Sequence, residues 1–198
     1  MKKEPLICVK YRKISQETIQ FSINDLNLTF KLDEFEPIRK FLNLKEYLTD
    51  FLSIDKVIHV IDYLIDSKNY IQAIQLINYD YLHEYLKNKY DLKFKCGKCQ
   101  SITDYLKQPI VIEYTRYYCP FFTNVGFTYM DDYEPKEIKE KYICINCENE
   151  LSLEEIWYVI KRDNELIETD VNALTLKFEV WKNDKAPIVV EQWDGYRC

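Results

Sequence analysis

Glycine is scarce in this chain, with 3 residues among 198, and the sequence contains only 2 histidines and 2 methionines. Phosphate-cradling loops of the GxxxxGKS/T or GxGxxG kind need several glycines close together. Neither pattern occurs, nor does a GxSxG elbow. Apolar runs stay well short of the roughly 20 residues that cross a bilayer, so no membrane partner is expected. The start, Met1-Lys2-Lys3-Glu4-Pro5, leads into a segment too short and too charged for a signal peptide. No C-a-a-X lipidation is expected at Cys198. The expected location is the cytoplasm, or a virion or host cytosol if the protein is viral.

Charge of one sign is also in modest supply. The net charge is -6 at pH 7. Residues 1–90 carry 13 basic and 13 acidic side chains, against 14 and 20 in residues 91–198. A surface that grips nucleic acid without sequence preference needs a positive field to release counterions from phosphates. Acidity in the second half weighs against that class. Disorder and low-complexity character are excluded by 47% hydrophobic and 15% aromatic residues, a composition able to bury a sizeable core.

The first third alternates. Residues 6–11 are a short apolar run. Ile19, Phe21 and Ile23, then Leu26, Leu28, Phe30 and Leu32, alternate with polar neighbours around Asn24-Asp25. Period-two alternation on both sides of a two-residue turn predicts an antiparallel meander over residues 6–32. The pattern then becomes helical over 33–52, with Pro37 placed in a first turn, where its missing N–H loses no bond. Ser53 reads as the N-cap of a second helix carrying Val57, Ile58, Ile61, Leu64 and Ile65, and 70–77 and 79–89 read as two more.

Seven cysteines are present, and four of them form two CxxC pairs, Cys96/Cys99 and Cys144/Cys147. In a reducing compartment two such pairs point to metal more than to disulfides. Four thiolates satisfy tetrahedral Zn²⁺ and leave no position for water, so the expected cofactor is a structural zinc ion. Gly97 and Asn146 are the residues expected to take left-handed backbone in the two turns. A redox dithiol is disfavoured, because CGKC lacks the βαβ context of such a motif. Cys119 is expected to be buried within the insertion between the pairs, and Cys8 to belong to the core.

The two pairs, the strands expected between them and a following helix resemble the zinc-ribbon and treble-clef group of zinc modules, over roughly residues 93–162. The resemblance implies a structural metal in a fold that serves nucleic-acid binding and protein docking alike. The 44 residues between the pairs exceed the compact spacing of that group, so an insertion is expected there. Within it, 110–118 reads as a strand and 120–130 as an aromatic loop. Ser152-Leu153-Glu154-Glu155 is a capping box expected to open a helix over 153–161. Leu174, Leu176, Phe178 and Val180, followed by 187–193, predict a terminal hairpin.

Other candidate chemistry is thin. His59 lies beside Asp55 and Asp62 at helical spacing, as a solvated, charge-paired side chain. His83-Glu84 begins like a zincin motif, but Lys87 occupies the position of the second histidine. Asp131, Asp132, Glu137 and Lys139 loosely resemble the acidic grouping of metal-dependent nucleases, in a run read as hydrophilic and not as an apolar hairpin. Lys87, Lys89, Lys93, Lys95 and Lys98 surround the first CxxC pair. They allow a nucleic-acid footprint, or they offset the negative charge of four thiolates around one Zn²⁺. Residues 131–170, with 13 acidic and 5 basic side chains, favour the second.

The sequence thus predicts an α+β protein. Residues 1–91 form an N-terminal strand-plus-helix domain with a small helical bundle, and residues 92–198 a zinc-binding domain with a C-terminal hairpin. The expected role is a non-enzymatic accessory or adaptor subunit that docks onto protein partners in a larger assembly, such as a nucleic-acid-processing or phage/host-conflict complex. A zinc-ribbon nucleic-acid binder is the first alternative and a metal-dependent nuclease or other enzyme the second.

Overall fold

The computed structural model describes residues 6–45, 49–107, 110–123, 126–176 and 189–197. The protein is α+β. Its chain divides into two compact units: Met1–Lys93 with Tyr158–Val171, and Phe94–Trp157 with Asn172–Cys198.

The first unit begins with the expected meander: β1 (Ile7–Lys13), β2 (Thr18–Ile23) and β3 (Leu26–Lys31). Ile23 pairs with Leu26 across the two-residue turn, where Asn24 accepts φ 52. The helix α1 (Leu32–Leu42) buries Phe35, Ile38 and Leu42. The ring of Phe35 lies 5.1 to 5.6 Å from those of Tyr11, Phe21 and Phe30. This aromatic cluster holds the helix on the meander.

That helix is shorter than the 33–52 expected. It stops at Asn43, left-handed at φ 52, whose N–H bonds the Lys40 carbonyl while that of Leu44 bonds Arg39. Because α1 starts at Leu32, Pro37 falls in its second turn, where the missing N–H deprives the Asp33 carbonyl of its usual donor. Leu48 lies outside the described residues. Asp50–Leu52 is a strand, β4, paired antiparallel with β1, and the sheet order is β3-β2-β1-β4. Three residues are too few to show a period, so the edge pairing decides their structure.

Three helices follow as expected: α2 (Ile54–Asp66), α3 (Tyr70–Ile77) and α4 (Asp80–Leu86). Val57, Ile61, Leu64 and Ile65 of α2 are buried, with Val60 added and Ile58 half-buried. Cys8 departs from the expected core position. It is half-buried, on the face of β1 opposite Ile7 and Val9, and its N–H donates to Asn24 Oδ1.

Along β5 (Tyr90–Cys96) the chain passes into the second unit. There β6 (Ile102–Thr103) pairs with the end of β5. A long hairpin follows, β7 (Ile110–Thr123) and β8 (Gly126–Glu140), which replaces the short strand and aromatic loop of the sequence reading. Phe121, Phe122, Phe127 and Tyr129 therefore sit in paired strands. β-Branched and aromatic residues suit a pleated ladder, and near-continuous pairing satisfies backbone groups that a loop would leave open. Next come β9 (Tyr142–Ile143) and β10 (Glu150–Leu151), a two-stranded sheet.

The capping box around Ser152 is present, but it opens only a single 3-10 turn, Leu153–Glu155. The expected helix 153–161 is instead β11 (Ile156–Arg162), followed by β12 (Glu165–Asn172). Ile156 and Tyr158 through Ile160 are buried, so both faces of the strand are covered, and a run of β-branched and aromatic residues buried in that way favours a strand. Both strands contribute to the first unit, in the order β12-β11-β5. The start of the expected terminal hairpin is also corrected. Leu174 and Leu176 belong to a short helix, α5 (Ala173–Leu176), and β13 (Val189–Arg197) runs parallel to β7. Phe178, Val180 and Pro187 lie outside the described residues. Among the described residues, no helix is long and apolar enough to cross a membrane.

Candidate metal centre

Each CxxC pair occupies the turn of a small antiparallel hairpin. β5 and β6 flank Cys96 and Cys99, and β9 and β10 flank Cys144 and Cys147. The two turns are built alike. The Cys96 N–H donates to the Ser101 carbonyl at 2.9 Å and the Cys144 N–H to the Asn149 carbonyl at 3.1 Å. The Gln100 N–H returns to the Cys96 carbonyl at 2.9 Å, and the Glu148 N–H to the Cys144 carbonyl at 3.0 Å. Gln100 and Glu148, one residue past each second cysteine, are left-handed at φ 61 and 57.

This places the left-handed residues differently from the sequence reading, which put them at Gly97 and Asn146. A turn closed by a bond from residue i+4 back to residue i reverses at its end, not within the CxxC. Gly97 is a glycine for another reason. Its N–H donates to the Glu155 carbonyl at 2.7 Å, and a Cβ on it would stand 2.9 Å from that oxygen and 3.1 Å from the Glu155 Cα. Close approach of two backbones selects glycine here.

The hairpins bring the four sulfur atoms within 4.8 Å of one another, a group that could hold a metal ion. Cys96 Sγ lies 3.9 Å from Cys147 Sγ, and Cys99 Sγ 3.7 Å from Cys144 Sγ. A tetrahedral ion with metal–sulfur bonds near 2.3 Å has sulfur–sulfur edges of about 3.8 Å, whereas a disulfide needs about 2.05 Å. The observed separations match the former. Cys96 and Cys144 are buried, Cys147 half-buried and Cys99 exposed.

The electrostatics differ at each sulfur. Burial pushes the Cys96 thiol up to about 12, against the Cys99 and Lys98 amides that favour its thiolate. The Ser101 hydroxyl, 2.9 Å from Cys99 Sγ, and then the Ser101 backbone hold the Cys99 thiol at about 6. At Cys144 burial is the largest influence and opposes ionisation. Together the Cys147 and Asn146 amides and the Ser101 hydroxyl outweigh it and hold the thiol below its usual range. Ser101 therefore touches two of the four sulfurs, at 2.9 and 3.7 Å. Sequence reasoning passed over it, since its only signal was a hydroxyl two residues beyond a CxxC.

The five lysines of the nucleic-acid alternative are engaged. Lys87 pairs with Glu84 at 2.6 Å, Lys89 with Asp62 at 2.6 Å and Lys93 with Asp91 at 3.7 Å. Lys98 donates to the Glu150 carbonyl at 2.7 Å and meets Glu155 at 3.5 Å, and Lys95 also has an interaction. His59 is exposed, with its ring 5.9 Å from that of Phe41, while Asp62 serves Lys89 and Tyr90. The backbone register sets Asp131 opposite Tyr118, Asp132 opposite Tyr117, Glu137 opposite Glu113 and Lys139 opposite Val111. These residues thus lie on the hairpin strand β8, where the sequence reading had seen only a hydrophilic run. Cys119 lies in β7 opposite Met130, and Cys198 outside the described residues.

Comparison of the chain with protein-family models, curated proteins and solved structures gives no match.

Proposed function

We propose that Cys96, Cys99, Cys144 and Cys147 hold a structural Zn²⁺, and that the chain is a non-catalytic accessory subunit docking onto a larger protein assembly. The observation that carries the reading is the approach of four sulfurs, from two hairpins far apart in sequence, to the edge lengths of a tetrahedral thiolate site. Four soft sulfur ligands favour Zn²⁺ over oxygen-seeking cations. A closed thiolate set leaves no coordination position for a substrate or water, which is the mark of a structural ion.

The module reads as ribbon-like. Two facing hairpins carry the ligands, and a strand follows the second, where a treble clef would place a helix. Docking onto protein is supported by large apolar side chains exposed in the first unit, including Phe41 and Phe51. The engagement of these lysines within the protein gives the nucleic-acid alternative less support. Elemental analysis of wild type beside Cys96→Ser tests the metal: one zinc per wild-type chain supports it, and a folded, metal-free wild type refutes it. Co-purification of a stoichiometric protein partner from the native host tests the adaptor role.

A further inference from the structure

Beside the first CxxC turn, the second unit carries a groove of about 660 Å³, lined by Gly97, Glu154, Glu155, Trp157, Leu174 and Thr175 among others. Its polar groups are unevenly used. The Glu155 carboxylate is committed, accepting from the Ser152 N–H at 2.9 Å and facing Lys98 at 3.5 Å. Asn172 Oδ1 accepts from the Thr175 N–H at 2.9 Å and its hydroxyl at 2.7 Å. Among the described residues, the exposed Glu154 carboxylate has no ion-pair partner, and the indole of the half-buried Trp157 has neither a side-chain hydrogen bond nor a ring contact. Leu174, 47% exposed, adds an apolar wall.

We infer that this groove receives an arginine-bearing segment of a protein partner, with the guanidinium laid on the Trp157 indole and paired with the Glu154 carboxylate. An indole face attracts a cation through its quadrupole, and a planar guanidinium can stack on it while donating two N–H groups to one carboxylate. A compact ammonium fits that pair of demands less well, and an anion is repelled. Leu174 favours an apolar neighbour beside the arginine. The inference rests on the adaptor reading and deepens it by stating the chemistry of the partner.

The test uses the full zinc-loaded chain and a dye-labelled short peptide in which one arginine is flanked by leucines, followed by fluorescence anisotropy. Matched peptides carry lysine or citrulline in place of arginine. Saturable binding of the arginine peptide is expected, with the citrulline peptide, Glu154→Gln and Trp157→Leu each weakening it at least about tenfold. Lysine should fall between. Glu148→Gln, an exposed acid outside the groove, and Trp157→Phe, which keeps an aromatic face, guard against diffuse attraction and misfolding. Glu148→Gln should leave affinity unchanged and Trp157→Phe should retain part of it, with zinc content intact in all variants. The inference is overturned if no peptide saturates, if citrulline binds as well as arginine, or if Glu148→Gln weakens binding as much as Glu154→Gln. A stoichiometric partner that co-purifies equally with wild type and Glu154→Gln/Trp157→Leu would sink the groove and leave the adaptor role standing. Absence of any partner would sink the adaptor role itself.

Discussion

The Gly97 amide donates to the Glu155 carbonyl at 2.7 Å, tying the first CxxC turn to the turn that follows the second. Gly97→Ala would set a methyl group 2.9 Å from that oxygen, against backbone that cannot swing aside. The expected cost is about 1–3 kcal/mol. Gln100→Gly, at φ 61, should stay within about 1 kcal/mol of wild type, because glycine enters that conformation freely. Chemical denaturation of the two variants checks the contrast. Equal costs would mean that φ, and not close approach, governs both positions.

Loss of the proposed Zn²⁺ should unfold the second unit selectively. Its two ligand hairpins are joined through the sulfur cluster, so chelation or Cys144→Ser should cost more than about 4 kcal/mol there. Hydrogen exchange resolves the two units. Protection should fall at Ile143 and Cys144 and persist at Phe21 and Ile61.

Ser101 should tune how tightly the proposed metal is held near neutral pH. It holds the Cys99 thiol at about 6, below the ordinary 9.0, so the thiolate persists until pH falls through that lower value. Metal binding competes with protons at each sulfur, Cys96 included, so affinity falls on acidification and Cys99 adds to that fall only below about 6. Ser101→Ala raises the thiol and should move release to higher pH, with about 10–100-fold weaker affinity at neutral pH. Competition with a chromophoric chelator across pH 5–8 measures the shift.

In the first unit, the Tyr90 hydroxyl donates to Asp62 at 2.7 Å, while Lys89 reaches the other oxygen of Asp62 at 2.6 Å. Burial, followed by Asp62, pushes the Tyr90 hydroxyl above its ordinary 10.0. A raised folded value means that this stabilisation is intact below pH 10 and declines as pH rises beyond it. Tyr90→Phe should cost about 1–2 kcal/mol at pH 7 and flatten the alkaline limb of stability against pH. Urea titrations at pH 7 and 10.5 compare the two proteins.

Where the sequence could be read, the signal was local. The Asn24-Asp25 turn with its alternating flanks, the buried stripe of Val57, Ile61 and Leu64, and the two CxxC pairs each state their structure within a few residues. What escaped was decided at long range. Ser152 and Glu155 announce a helix, yet burial of both faces of Ile156–Ile160 makes a strand. Leu174 and Leu176 alternate like a strand, yet form a helical turn, and β13 aligns with β7 far upstream. Gly97 misled for the same reason, since the group that requires a glycine there belongs to Glu155.

The first unit is assembled from two stretches of chain, with most of strands β11 and β12 supplied by residues 158–171. A ribosome making the protein therefore releases the meander and helices well before the strands that complete their unit, at about 5–20 residues per second. Trimming the gene after codon 93 would not isolate a self-sufficient half, because β5 would lose β11 as its neighbour. Dissection must instead keep 158–171, joined to the first stretch by a short engineered bridge.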